Sequence, residues 1–230
     1  MAKKTFFVTG TDTGVGKTLV SAALLHAAKA AGLRTIAMKP VASGCDQTPE
    51  GLRNEDALAL QAAMTESLPY EQINPIALEP AIAPHIAALQ AGRQLSVQRL
   101  VGLCRGLQMR PADFMLIEGA GGWRVPLNDR ETYARVPQEM DLPVILVVPL
   151  QLGCINHALL SAEAIRADGL KVAGWVANRI GPEPMAVEPE NLQYLRTHMA
   201  APMIGELPWQ PEPDPEALSA HLDINGLFDF

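Results

Sequence analysis

The chain has 230 residues, of which 48% are hydrophobic and 19% charged, and its formal net charge is -7. This composition allows a sizeable buried core and excludes a disordered or fibrous chain. The negative charge argues against a nucleic-acid or anionic-membrane surface, because both partners favour clustered lysine and arginine.

The predicted elements alternate between short apolar strands and longer helices, and several strands are nearly continuous in Val, Ile, Leu or Phe. Such runs are typical of strands that are covered on both faces. The β-α-β-α order predicts an α/β fold with a doubly wound, mainly parallel sheet and helices on both faces. No repeat or linker divides the chain, so residues 1–230 are expected to form a single domain. Strands are predicted at 5–10, 34–40, 113–119, 143–149, 171–178 and 202–207, and helices at about 17–31, 54–64, 95–109, 154–168 and 189–199.

The segment GTDTGVGKT, residues 10–18, follows the first strand and leads directly into a helix. In the standard loop, G-x-x-x-x-G-K-[ST], main-chain N–H groups bind phosphates, the lysine neutralises their charge and the hydroxyl ligates Mg²⁺. Gly16, Lys17 and Thr18 supply the end of this motif, but the first glycine is Gly10, one residue earlier than the motif requires. Because strand, turn and helix occur in the right order, they favour a P-loop NTPase-type phosphate site over a chance G-K-T.

Two classes of phosphate-loop protein fit this segment poorly. The ATPases that position chromosomes and division sites carry an additional lysine near the start of the loop, where this chain has Asp12. GTPases usually carry N-K-x-D for guanine, whereas the late strand here ends in ANRIG. Neither signature is present.

Charged residues stand at or near the ends of two other predicted strands. Glu118 precedes a glycine-rich turn, where a carboxylate can hold Mg²⁺ or its waters opposite Thr18. Lys39 ends the second strand, and parallel strands bring their carboxyl ends to one edge, so Lys39 is expected to face a substrate anion near Ser43. Asp56 starts a helix, where the helix dipole alone is sufficient to explain an acidic residue.

Three cysteines, Cys45, Cys104 and Cys154, lack metal-ligand spacing and fit a reducing compartment. The start MAKKTFFVTG contains too few apolar residues in a row for a secretion signal, and no later apolar run approaches the length of a membrane span. We therefore expect a cytoplasmic enzyme.

A set of segments in fixed order resembles the dethiobiotin synthetases of biotin biosynthesis. The similarity runs from about residue 5 to 209, and it is the ordered set, more than the phosphate loop alone, that is specific. The segments are VTGTDTGVGKT, KPVASG, GLRNEDALALQ, APHIAA, IEGAGGW, LPVILVV, LGCINHALLSAEAI, GWVAN and GELPW.

The resemblance implies that ATP, CO₂ and 7,8-diaminopelargonic acid become dethiobiotin, ADP and phosphate. An amine is carbamylated by CO₂, the carbamate oxygen attacks the γ-phosphate, and the second amine closes the ureido ring. The implied catalytic residues are Lys39, Lys17 and Thr13, and the implied Mg²⁺ ligands are Thr18, Asp56 and Glu118. The implied ATP contacts are Gly14, Val15, Gly16, Lys17, Thr18, Leu19, Asp56, Glu118, Gly119, Ala120, Gly121, Asn178, Arg179, Leu207, Pro208, Trp209 and Glu212.

The diamine has an apolar chain that ends in a carboxylate. Residues Thr13, Lys39 and Ser43 are implied to flank its amines and carbamate, and in the family its carboxylate is held by a helix start that comes from the other subunit of a homodimer. That segment corresponds here to Gly153, Cys154, Ile155 and Asn156. From residue types alone, an ordinary connection with Asn156 as helix N-cap is the preferred interpretation of this segment.

Alternative functions remain open at this point. A nucleotide-switched dimer that controls a protein partner shares the loop, although Asp12 argues against it. An amide-forming synthetase that acts on a large corrin acid usually brings a glutaminase region, for which this chain has no room. The chain also departs from some family members at Gly14 and Arg179, two of the implied nucleotide contacts.

Overall fold

The structure is a computed structural model that describes residues 3–229. Its centre is a six-stranded sheet in which every neighbouring pair of strands is parallel. In chain order the strands and helices are β1 (Lys4–Gly10), α1 (Lys17–Ala30), β2 (Thr35–Met38), β3 (Val41–Ser43), β4 (Asp46–Thr48), β5 (Gly51–Arg53), α2 (Glu55–Ala63), α3 (Tyr70–Ile73), β6 (Ile76–Leu78), α4 (Pro84–Gln90), α5 (Val97–Gln108), β7 (Phe114–Glu118), α6 (Arg135–Met140), β8 (Val144–Pro149), α7 (Cys154–Ala167), β9 (Val172–Asn178), α8 (Glu188–His198), β10 (Met203–Leu207) and α9 (Pro215–Leu218).

The strand order is β10-β9-β8-β1-β7-β2, so β1 lies between strands that come much later in the chain. The chain leaves β1 for β2 on one side, and it later moves from β7 to β8 across β1. Ligands of such sheets bind beyond the carboxyl ends of the strands, at the point where the direction of winding changes. That point here is the end of β1, where the phosphate loop begins.

Burial follows from the apolar runs that predict the strands. Every residue of β8 and β9 is buried, and Trp175 and Phe114 are among the largest side chains without solvent exposure. The α/β fold with a mainly parallel sheet is confirmed, because all six predicted strands form this sheet. None of the described helices is both long enough and apolar enough to cross a bilayer.

Local signals set the ends of the longer helices. Ser96 caps α5 by accepting from Arg99 N, and Asn54 caps α2 by accepting from Ala57 N. The helix that carries Cys154 begins differently, because its N-cap is Gly153 with φ 94°, a conformation that favours glycine. Asn156 therefore lies inside the first turn of α7, and its alternative assignment as the N-cap is wrong.

The region between β2 and α5 holds most of what the sequence analysis did not predict. It contains a two-stranded parallel ladder of β3 with β6, an antiparallel hairpin of β4 with β5, and the short helices α3 and α4. Three-residue strands and a four-residue helix are too short to show a hydrophobic period, which explains why they were missed.

Candidate active site

The phosphate loop joins the end of β1 to the first residue of α1. Gly16 is the N-cap of α1 with φ 87°, and a Cβ at this position would overlap the amide nitrogen of Asn178. No side chain caps the helix start, so its first N–H groups remain available to an anion. Glycine at position 16 is thus required both by the backbone conformation and by the close approach of Asn178.

Lys17 is buried beside this helix start. Its Nζ donates to the carbonyl of Asp12 at 2.9 Å, within the loop itself. Burial, with a further contribution from the nearby ammonium of Lys39, lowers the pKa of Lys17 from 10.5 to about 8. A cation that is poorly solvated in this way is expected to bind an incoming phosphate strongly.

Four predicted residues converge on the end of β7. Lys39 Nζ lies 2.6 Å from Glu118 Oε1 and 2.7 Å from Asp56 Oδ2, and Thr18 Oγ1 donates to Glu118 Oε1 at 2.8 Å. Burial alone would lower the pKa of Lys39, but the two carboxylates outweigh it and raise this pKa. Burial would likewise raise the pKa of Asp56, but Lys39 and its hydrogen bond hold this pKa below its usual range. Hydrogen bonds and ion pairs therefore link all four groups in one cluster.

The same cluster offers oxygen donors to a metal ion. Glu118 has no solvent exposure, and its Oε2 is buried without a hydrogen-bond partner. Within residues 3–229, no three His, Cys, Asp or Glu side chains form a metal-binding group. Two carboxylates and one hydroxyl suit Mg²⁺, which typically takes one or two protein carboxylates and completes its octahedron with waters and phosphate oxygens. These residues fit that ion, and Lys39 is the cation that they hold in this structure.

A cavity of about 300 Å³ lies directly over the loop and the charged cluster. Ala42 is a lining residue that carries no functional group, so no sequence signal could have identified it. A larger groove of about 540 Å³ between α3 and α5 lies on other residues and includes none of these charged groups. The lining of the smaller cavity is Thr13, Gly14, Gly16, Lys17, Thr18, Lys39, Ala42, Ser43, Asp56, Ala120 and Gly121.

A chain of buried hydrogen bonds connects Lys39 to the start of α2. The N–H of Asn54 donates to Tyr70 Oη at 2.7 Å, and that hydroxyl donates to Asn74 Oδ1 at 3.1 Å. Asn74 Nδ2 in turn donates to the carbonyl of Lys39 at 2.8 Å, and Lys39 N donates to Ile73 O at the same distance. The sequence analysis missed Tyr70 and Asn74, because a tyrosine and an asparagine in a polar connection carry no motif.

The residues expected around the base lie at the ends of β9 and β10. Asn178 Nδ2 donates to Val15 O at 2.9 Å, whereas its Oδ1 is buried without a partner. Leu207 pairs with Asn178 in the sheet, and Arg179 forms an ion pair with Glu188. Of the other expected nucleotide contacts, Pro208 is half-buried and Trp209 and Glu212 are exposed, whereas the half-buried Leu19 lies on α1.

The start of α7 does not line the cavity of its own chain. Cys154 is buried, and burial raises the pKa of its thiol. Gly153 and Asn156 are exposed, and the neighbouring Leu152 is 95% exposed. The described residues therefore bring together the loop, Lys39, Ser43 and the acids, but not the predicted carboxylate receptor.

Comparisons with known proteins identify relatives of the chain. A family model described as an AAA domain matches residues 4–217. The chain is 72% identical to the ATP-dependent dethiobiotin synthetase BioD of Marinobacter nauticus over the full length of both proteins, and 57% identical to that of Cellvibrio japonicus over the full length of both.

Solved structures support the fold at low sequence identity. The septum site-determining protein MinD of Pyrococcus horikoshii, solved with Mg-ADP, has a TM-score of 0.57 at 17% identity and covers all of this chain and 96% of its own. A MinC:MinD complex of Aquifex aeolicus gives 0.58 at 16% identity, with 96% of this chain and 87% of the other covered. These structures share the parallel P-loop architecture.

Proposed function

Because the chain belongs to the family of ATP-dependent dethiobiotin synthetases and is an ATP-dependent ligase of biotin biosynthesis, we propose that its 300 Å³ cavity holds the reacting groups. The observation that carries this assignment is the convergence of Lys17, Thr18, Lys39, Asp56 and Glu118 at the start of α1. We also propose that the whole chain, residues 1–230, acts as one synthetase domain.

We assign the triphosphate to the N–H groups of Gly14 to Thr18. Lys17 exchanges the Asp12 carbonyl for phosphate oxygens and stabilises the charge that develops during transfer. Thr18, Asp56 and Glu118 hold Mg²⁺, which when bound neutralises phosphate charge and orients the γ-phosphate. Gly119 to Gly121 of the turn after β7 are also assigned to the nucleotide, and Ala120 and Gly121 line the cavity.

The second substrate is proposed to be 7,8-diaminopelargonic acid with CO₂. One amine attacks CO₂ and loses a proton, which gives a carbamate. Lys39, Ser43 and Thr13 bind that anion and direct one oxygen at the γ-phosphorus, so that ADP leaves. The second amine then attacks the carbamate carbon and expels phosphate, which closes the ureido ring. The protein supplies charge and position here, since the carbamate is itself the nucleophile.

The carboxylate end of the diamine is assigned to Gly153, Cys154, Ile155 and Asn156 of a second subunit in a homodimer. The support is the exposure of Gly153 and Asn156 at a helix start outside the cavity of their own chain. A mixing experiment tests this arrangement. Lys39→Ala and Asn156→Ala homodimers, each with low turnover, should regain activity when subunits exchange, because a mixed dimer contains one intact site. No recovery after verified exchange would contradict a shared site.

The reaction itself is tested by incubating the protein with ATP-Mg²⁺, bicarbonate and diaminopelargonate. The diamine should stimulate ADP release and yield a ureido product by mass spectrometry, and no turnover with this diamine would refute the assigned substrate. Lys39→Ala should abolish turnover with little change in ATP binding, and Lys29→Ala, an exposed lysine on α1, is the matched control. Equal loss of turnover and of ATP binding in Lys39→Ala would contradict its role.

A further inference from the structure

The four-residue helix α3 and its C-cap Asn74 support the main chain at or near both partners of the Lys39–Asp56 ion pair. On one side it fixes the main chain of Lys39, because Ile73 O accepts from its N–H and Asn74 Nδ2 donates to its carbonyl. On the other side, Tyr70 Oη accepts from the N–H of Asn54. Asn54 is the N-cap of α2, so this bond fixes the helix start that presents Asp56 two residues later.

The linking groups are buried and fully used. Tyr70 is 6% exposed and Asn74 is 3% exposed. The tyrosine hydroxyl both accepts and donates, and the asparagine amide uses its oxygen toward Tyr70 and its nitrogen toward Lys39. The orientation of the Asn74 amide is determined at Lys39, because reversing it would place the amide oxygen against the Lys39 carbonyl oxygen.

Such a chain could simply stabilise the connection between α2 and β6. One end of the chain, however, holds the Lys39 carbonyl, and the other holds Asn54, the N-cap of the helix that carries Asp56. The side chains of Lys39 and Asp56 meet at 2.7 Å. We propose that Tyr70 and Asn74 are positioning residues, which set the place of the Lys39 ammonium relative to Asp56 and hence to the anion that Lys39 binds. This inference rests on the proposed function of Lys39 and adds to it the residues that aim its side chain.

Tyr70→Phe removes one hydroxyl and keeps the ring, which packs under the guanidinium of Arg53 at 4.2 Å. Asn74→Leu keeps the approximate volume and removes the side-chain hydrogen bond to Lys39 O. Each variant should lower kcat/KM for the diamine by about 10-fold, since small misplacements of a catalytic group have effects of this size or larger. The dissociation constant for ATP measured without Mg²⁺ should change by less than about 3-fold, because the phosphate loop is untouched. The double variant should be no worse than Asn74→Leu alone.

Thr35→Val is the matched control, because it removes a buried hydroxyl that accepts from Thr65 N at the opposite end of β2. It should lower the thermal midpoint comparably and leave kcat/KM unchanged. A crystal structure of Tyr70→Phe provides a readout that does not require turnover, and it should show a lengthened separation of Lys39 Nζ and Asp56.

The outcomes separate this inference from the proposed function. Failure of the wild-type protein to convert the diamine would remove the proposed substrate, whereas the Lys39–Asp56 separation in the Tyr70→Phe crystal would still test the positioning role. If Tyr70→Phe and Thr35→Val lose equal stability and both keep wild-type kcat/KM, or if the Lys39–Asp56 separation is unchanged, Tyr70 is a structural residue only and the inference is overturned.

Discussion

Replacing Lys17 by methionine should change how the stability of the unliganded protein depends on pH. Burial lowers the pKa of Lys17 from 10.5 to about 8, so the folded protein disfavours its ammonium. One pKa unit corresponds to about 1.4 kcal/mol, and a shift of this size therefore destabilises the folded state by roughly 3 kcal/mol when the lysine is protonated in both states. Lys17→Met removes this term together with the hydrogen bond to Asp12 O.

The sign follows from proton binding. Between about pH 8 and 10.5 the unfolded chain binds more protons at this position than the folded protein, so the folded state gains stability as the pH rises. From pH 7 to pH 9.5 the wild-type protein should gain about 2 kcal/mol relative to Lys17→Met. Urea unfolding of both proteins at several pH values, without nucleotide, measures this difference directly.

The difference between the two proteins is the informative quantity, because all other titrating groups are common to both. A gap between the two free energies of unfolding that stays constant from pH 7 to 9.5 would refute the reasoning. A wild-type protein that loses stability relative to Lys17→Met as the pH rises would also refute it, because that result would require a raised pKa for Lys17.

Three further predictions concern the site and the thiols. Gly16→Ala should raise the dissociation constant for ATP-Mg²⁺, measured by calorimetry, by at least about 10-fold, because the added Cβ would overlap Asn178. Gly14 has φ 73° but no neighbour within 4 Å of an added Cβ, so Gly14→Ala should raise this constant by less than about 3-fold. Lys39→Met should destabilise the protein by about 3 kcal/mol in urea unfolding, because Glu118 is left buried without its cation. Adding Glu118→Gln should recover part of this loss, and full stability of the single variant would contradict a buried ion pair. The three cysteines are buried with raised thiol pKa values, so iodoacetamide should modify them slowly at neutral pH and rapidly in urea, as followed by mass spectrometry; fast modification of the native protein would show that they are accessible.

The sheet was predictable because its strands carry long apolar runs. β8 and β9 read as continuous hydrophobic segments, and the structure buries every one of their residues. The proximity of Lys39 to the loop was also predictable, since parallel strands end at one edge. In both cases a local pattern and a topological rule were sufficient.

Other features depend on contacts between residues with no local signature. The link from Asn54 through Tyr70 and Asn74 joins two helices and a strand end through single hydrogen bonds, none of which leaves a period or a motif in the sequence. The bond between Asn178 and Val15 spans 163 positions of the chain. Side-chain partners of this kind are set by packing and not by residue type.

The paired charges around Glu118 affect how tightly the pocket binds free ions and ion complexes. Two ammonium groups, Lys17 and Lys39, face two carboxylates, Asp56 and Glu118, so the pocket is close to electroneutral. Free ATP is attracted by Lys17 but repelled by the two carboxylates, and free Mg²⁺ has to displace the Lys39 ammonium. In the ATP-Mg²⁺ complex the two opposite charges compensate one another. Thermodynamic reciprocity then requires each ion to raise the affinity of the protein for the other by the same factor. We therefore expect the unliganded protein to bind the ATP-Mg²⁺ complex more tightly than either free ATP or free Mg²⁺.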